Sequence, residues 1–403
     1  MKYLIILGDG MADNAVPSLN NMTPLQYAFT PNIDKMAREG AQGRLVTVPK
    51  GFHPGSEIAN LGVLGYDVNK VFEGRGSLEA ASMGIDIEPG EMAMRCNLIC
   101  VEEDILKNHS AGHITTEEAK ELILFLDEKL GNERVSFYPG VSYRHLLIIK
   151  NANKNFNTIP PHDVPGKPFM PLLPSTDVEQ AKETVELIDK LILDSQKILS
   201  DHPINKKRIS LGKDPANSIW PWSPGYHPSM TPLKDIYPIK TGAVISAVDL
   251  IHGIGVYAGL DKIEVEGATG LYTTNYEGKT KAAIEQLKEK DFVFLHIEAS
   301  DEAGHEGDAL LKVKTIEYLD SRVVGPILKE IDGWNEDVTV ALLPDHPTPV
   351  SLFTHTSDPV PFLIWGRGVK SDNLERYDEE TAKNGSFGLL KNDEFIKLLF
   401  SFK

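Results

Sequence analysis

Acidic and histidine side chains placed directly behind apolar runs constrain this chain more than any other feature. The run YLIIL (3–7) leads into Asp9, FVFLHI (292–297) into Asp301 and His305, and VTVALL (338–343) into Asp345 and His346. His355 follows nine residues after His346. Continuous apolar runs rich in β-branched residues suit strands buried on both faces. Helical patterns separate them, and such alternation predicts a mostly parallel sheet with helices on both faces. In sheets of that kind ligands collect at the carboxyl ends of the strands. These polar side chains fall at those ends.

The chain has 403 residues, more than one hydrophobic core usually supports. Strand–helix alternation occupies residues 1–84 and 236–403. Within it TPNIDKMAREG carries helix signals: Thr30 as N-cap, Pro31 at the first position and Gly40 as the stop. GRLVTV (43–48) is a further strand candidate. Residues 85–235 behave differently. EMAMRCNLICVEE and VSFYPGVSYRHLLIIK flank the helical TTEEAKELILFLDEKLG, and a helix is predicted over roughly 178–199. This reads as a smaller inserted α+β domain. The Pro-rich NSIWPWSPGYHP, with Trp220 and Trp222, reads as a packed linker, with part of a substrate wall as the alternative.

With 58 acidic against 41 basic residues, the formal net charge is −17. Such a chain is poorly suited to nucleic acid or an anionic membrane surface. No stretch approaches the roughly 18 apolar residues of a membrane span, and the short apolar run at the N-terminus lacks the features of a signal peptide. Cys96 and Cys100, four apart in RCNLIC, fit reduced core residues of a cytoplasmic protein.

Aspartate and histidine are the oxygen and nitrogen ligands that zinc and manganese accept. The spacing of Asp301 and His305 puts both on one side of a helical turn. Asp345 and His346 are adjacent, and strand neighbours point apart, so Pro344 and Pro347 imply a loop there. Ser56, in HPGSEIANLGVLGY, stands just before an amphipathic helix. Taken singly, a serine there is usually an N-cap, and an Asp-His pair is usually a capped turn. His53 either faces the site or caps its loop. His296, inside an apolar run, reads as a satisfied core residue. The order of the clusters along the chain, with PGSE between the first and second, is the specific signal.

The stretches LGDGMAD, TPNIDKMAREG, HPGSEIANLGVLGY, GRGSLEAASMGI, RCNLI, GVSYRHLL, GAVISAVDLIHGIG, SDEAGHEGD and PDHPTP…HTSDPVP together resemble the cofactor-independent phosphoglycerate mutases. The likeness is to their archaeal-type branch, within the alkaline phosphatase superfamily. It implies an alkaline-phosphatase-like α/β sheet with an inserted α+β domain, and two divalent ions, Mn2+ or Zn2+. Asp9, Ser56, Asp345 and His346 would hold one ion, and Asp301, His305 and His355 the other. Ser56 would be the nucleophile, forming a phosphoserine. The substrate would be a small phosphorylated acid, with no nucleotide cofactor. One departure concerns that substrate. Where the family carries an arginine-rich DRRAGR-like stretch, this chain reads NHSAGHI. His109 and His113 take those places, and Arg95, Arg144 and Arg208, with Arg75 near the entry to the inserted domain, are the remaining candidates for substrate contact. A homoserine kinase-like phosphotransferase and a metal-dependent phosphatase are the alternatives.

Overall fold

A computed structural model describes residues 1–402. They form two compact units, residues 1–72 with 229–402, and residues 73–228. The chain enters the first unit with β1 (Lys2–Gly8) and β2 (Ala41–Val46). It supplies the second unit with β3 (Glu91–Glu102), β4 (Ile105–Asn108), β5 (Val135–Tyr138), β6 (Arg144–Lys150) and β7 (Ser218–Gly225). It returns to the first with β8 (Gly242–Ile245), β9 (Asp261–Ile263), β10 (Phe292–Ile297), β11 (Val338–Leu343), β12 (Val360–Gly366) and β13 (Gly388–Lys391). The first unit is thus an eight-stranded sheet in the order β13-β2-β12-β11-β1-β10-β8-β9. Only β12 runs against its neighbours.

The register of the central strands places the polar loops side by side. Leu7 of β1 pairs with His296 of β10 and with Leu343 of β11. Asp9 and Asp345 lie two residues beyond those pairs, at the same edge. β1 is buried along its whole length, as a strand covered on both faces must be, and that is why it reads as an unbroken apolar run. Leu4, Ile6, Val293, Leu295, Val340 and Leu342 meet in one core cluster. Because β12 is antiparallel, the loop carrying His355 enters the sheet from that same edge.

The helix Ser56–Val63 is set against the loop after β2 by close backbone contact. A Cβ on Gly62 would stand 2.3 Å from the carbonyl oxygen of Thr47. The expected helix of TPNIDKMAREG is found at Pro31–Glu39, with Thr30 as N-cap and Gly40 as C-cap.

The second unit has a sheet ordered β4-β3-β6-β5, with β7 on the other side of β3. Cys96 and Cys100 are free and buried on β3. Trp220 and Trp222 are not in a linker: both are buried in β7, which pairs with β3. The junctions also fall earlier than 84 and 236. The helix Arg75–Ser82 belongs to the second unit, since Gly76 lets it approach β3 so closely that a Cβ would meet the Ala93 carbonyl at 2.3 Å. The helix expected from 178 starts at Lys182 and is preceded by a 3-10 turn, Glu179–Ala181. No helix among the described residues is long and apolar enough to cross a membrane.

Gly62→Ala is expected to destabilise the protein by about 1–3 kcal/mol through overpacking, against a gain of about 1 kcal/mol in helix propensity. Urea unfolding measures the net effect. A midpoint raised by the full propensity gain of about 1 kcal/mol would mean that the helix carrying Ser56 is not held by this contact.

Candidate active site

Ser56 is the first residue of its helix, and Gly55 occupies the N-cap position in an extended conformation. The serine hydroxyl is therefore not spent as a cap. Its Oγ lies 3.2 Å from Nε2 of His346. Asp9, Asp345 and His346, all buried, offer ligand atoms within 4.8 Å of one another. His346 Nε2 stands 3.4 Å from Asp345 Oδ2 and 3.7 Å from Asp9 Oδ1.

The second group adjoins the first. Nε2 of His305 and Nε2 of His355 are 2.8 Å apart. Each is 3.3 Å from an oxygen of Asp301. His305 and Asp301 share one face of the helix Ala299–Glu306. His346 belongs to both groups, since its ring stacks on that of His355 at 4.0 Å and it joins Asp301 and His355 within 4.8 Å.

These atoms fit a pair of cations. Nδ1 of His305 faces the Phe353 carbonyl at 3.0 Å, and Nδ1 of His355 faces the Pro54 carbonyl at 2.6 Å. A carbonyl only accepts, so both Nδ1 atoms carry hydrogen. Two lone pairs are thus turned toward each other and toward a carboxylate, and something positive must sit between them. A proton is the alternative occupant: hydrogen bonding to Asp301 pushes His305 up to about 9. Burial alone would raise Asp301, but hydrogen bonds from His305 and His355 outweigh it and hold Asp301 well below the usual carboxylate range. In the first group Asp9 Oδ1 is buried without a hydrogen-bond partner. Burial, then the facing Asp345 carboxylate, push Asp9 well above its ordinary value. Both hard oxygen and imidazole donors suit Mn2+ or Zn2+.

A surrounding layer fixes the ligands. Asp345 Oδ1 accepts from the backbone N–H of Gly10 at 3.2 Å and of His346 at 2.9 Å. Asn60 Nδ2 donates to Asp345 Oδ2 and to the Ser56 carbonyl, both at 2.9 Å. Gly10 has a φ of +61°, and a Cβ there would lie 2.6 Å from Asp301 Oδ1. The turn after Asp9 therefore requires glycine.

The second unit carries a separate cluster of cations. Arg95 pairs with Glu79 at 3.0 Å, and its guanidinium lies 5.1 Å from the Trp222 ring. Arg75 lies 5.8 Å from the same ring. His162 stands edge-on to Trp222 at 5.4 Å and to His109 at 6.1 Å. His109 meets Tyr143 at 5.6 Å, and Arg144 lies 5.9 Å from that ring. Nε of both Arg95 and Arg144 is buried without a partner. Burial, with His113 and Arg95 nearby, keeps His109 below its usual range. His162 is held down by burial and by Arg95 and Arg75, against Asp163. His113 is exposed.

Arg208 must be removed from the substrate candidates. Its side chain is 1% exposed and pairs with Glu118. Its remaining donors reach the carbonyls of Asp214, Ala111 and Gly112 at 2.9, 2.6 and 3.4 Å. It braces the turn that carries His109 and His113, and four of its five N–H groups are taken by these partners.

Residues 37–205 match the family described as 2,3-bisphosphoglycerate-independent phosphoglycerate mutase. A protein of that name from Methanosarcina barkeri is 51% identical, with each chain covered completely. The chain belongs to this mutase family. A relative from Geobacter sulfurreducens, described as a probable member, is 46% identical over 98% of each chain. Among solved structures, the PH0037 protein of Pyrococcus horikoshii is similar with a TM-score of 0.83 at 31% identity, covering 99% of this chain and 96% of that one. The cofactor-independent phosphoglycerate mutase of Thermoplasma acidophilum gives a TM-score of 0.69 at 26% identity, covering 100% and 99%.

In this mutase-family chain two further residues stand out that the sequence did not single out. His296, read as a core residue, is fully buried, but its Nε2 lies 3.0 Å from Asp9 Oδ2 and its Nδ1 3.2 Å from Ser246 Oγ. It therefore abuts a candidate metal-binding carboxylate, with Nε2 making no hydrogen bond of its own. A histidine inside an apolar run gives no local sign of this. His162 was hidden in a Pro-rich loop and joins the cation cluster only through the fold. His53, left open, is exposed.

The raised His305 has a consequence for ion binding. An ion at Nε2 must displace the proton, so apparent Mn2+ affinity should rise with pH up to about 9 and level off above it. In the ion-free protein the His305–Asp301 contact adds stability that is fully present below the unfolded histidine value and lost as pH rises through about 9. Calorimetry in buffers of different ionisation enthalpy would count the released protons. Affinity independent of pH, with no proton release, would contradict the arrangement.

Proposed function

We propose that this chain interconverts 3- and 2-phosphoglycerate without bisphosphoglycerate, through a phosphoserine formed at Ser56. The proximity of Ser56 Oγ to His346, at 3.2 Å, carries the reading, because it sets the hydroxyl within the cluster of buried ligand atoms. Asp9, Asp345 and His346, with Ser56, would hold one divalent ion, and Asp301, His305 and His355 the other. When bound, such ions lower the pKa of an adjacent hydroxyl and offset charge on phosphoryl oxygens. The family membership of the whole chain supports the same assignment.

The protein's own groups supply the rest. Asn60 holds both the Ser56 carbonyl and Asp345, so the nucleophile and a ligand keep one relative position. The positive end of the helix Ser56–Val63 lies at Ser56 and would favour a phosphoryl group there. Ser56 Oγ forms a bond to phosphorus as the ester oxygen of the donor leaves. In the second half the neighbouring hydroxyl of the glycerate takes the phosphoryl group back, and Ser56 is regenerated. A lyate water in place of that hydroxyl would make the enzyme a phosphatase, so water must be kept out.

For the substrate acid, the second unit offers Arg95 and Arg144, each with a buried, unpaired Nε. Guanidinium forks match carboxylates and phosphates. His109 and His113 would add donors where the family has arginine. A cytoplasmic location is consistent with the free, buried cysteines.

Ser56→Ala is expected to lower kcat by about 10^4-fold or more while unfolding within about 0.5 kcal/mol of wild type. Normal turnover in that variant would remove Ser56 from the chemistry. Arg144→Ala should raise KM for phosphoglycerate about tenfold or more, an effect of about 1.4 kcal/mol, with little change in ion affinity. The assay uses Mn2+-loaded protein and 3-phosphoglycerate without bisphosphoglycerate, beside a tube of homoserine and ATP. Product only in the second tube would replace the mutase reading with the homoserine kinase-like one.

A further inference from the structure

The helix Ala309–Tyr318 carries a lysine that none of the chemistry above uses. Lys312 is fully buried. Its Nζ donates to Asp13 Oδ2 at 2.7 Å, to the Thr348 carbonyl at 2.8 Å and to the Ala12 carbonyl at 3.1 Å. An ammonium has three N–H groups, and each has a protein acceptor.

Those acceptors come from two loops. Ala12 and Asp13 follow Asp9, and Thr348 follows Asp345 and His346. The same loops are stitched by Thr348 N to the Ala12 carbonyl at 3.2 Å and by Val350 N to Asp13 Oδ2 at 3.1 Å. Thr348 carries the connection onward: its hydroxyl donates to Asp301 Oδ1 at 2.5 Å and lies 3.3 Å from Nδ1 of His346. One ammonium thus ties the loop of Asp9 to the loop of His346, and a threonine on that tie touches ligands from both groups.

An ion pair with both side chains 0% exposed is a poor device for stability alone. Desolvation offsets most of its attraction, and neutral partners of similar shape often serve as well. Neutral partners would not hold two loops at fixed distances through three directed bonds.

We propose that Lys312, paired with Asp13, is a positioning residue for the metal centre, setting ion affinity rather than fold stability. The inference rests on the two-metal reading above. The test is Mn2+ binding by calorimetry and chelator competition, with thermal unfolding of the ion-free proteins. The double variant Lys312→Met with Asp13→Asn leaves no uncompensated charge. It should unfold cooperatively near the wild-type temperature and bind Mn2+ about 10- to 100-fold more weakly. Wild-type affinity in the double variant would overturn the proposal. So would loss of its fold, which would make the pair a stabilising element. Lys312→Arg keeps the charge but cannot reproduce the three bonds, and it should show a similar loss of affinity. Wild-type affinity there would equally contradict the role. Failure of the wild-type protein itself to bind two ions would instead sink the two-metal reading.

Discussion

Three buried aspartates at the carboxyl ends of adjacent strands cannot all stay charged without cations between them. Asp9, Asp301 and Asp345 are each at most 6% exposed, and the imidazoles around them turn lone pairs inward. In the absence of ions the protein meets this by shifting protons: Asp9 is pushed up and His305 is pushed up. The rest of the first unit can be understood as a frame that makes this crowding tolerable. Parallel pairing of β1 with β10 and β11 brings the strand ends level, and the reversed β12 keeps the His355 loop at the same edge. Outer-layer groups such as Asn60 and Thr348 hold Asp345 and Asp301 by hydrogen bonds, as groups around a metal site commonly do.

The second unit gathers the opposite charge. In a chain of net charge −17, it holds a local concentration of arginines, which the proposed function assigns to an acidic substrate. Arg75, Arg95 and His162 lie around Trp222, and Arg144 and His109 lie around Tyr143; Nε of Arg95 and of Arg144 is buried without a partner. Burial of these groups favours the neutral imidazoles of His109 and His162, so the arginines carry the charge.

Much of this was legible in the sequence because strand runs and metal-competent side chains are adjacent along the chain. Asp9, Asp301, Asp345 and His346 each follow an apolar run by a few residues, so the strand pattern alone placed them at one edge. Residues that act through long-range contacts had no such marker. Lys312 lies on an ordinary helix 299 residues from its partner Asp13, and His296 lies inside a strand. Arg208 shows the converse error. A basic residue in the insertion looked like a substrate contact, yet it is buried against Glu118 and three carbonyls. The Trp220 and Trp222 segment misled for a related reason: Pro221 and Pro224 suggested a linker, but β7 tolerates them while pairing with β3.

The question that reaches furthest is whether the phosphoryl group passes through Ser56. Ion-loaded protein would be mixed with 3-phosphoglycerate, quenched in acid within a turnover, digested and mapped by mass spectrometry. A phosphate mass on the peptide spanning Ser56, absent without substrate, is the predicted result. Conversion to 2-phosphoglycerate with no phosphate on that peptide, or with phosphate on another residue, would contradict the account.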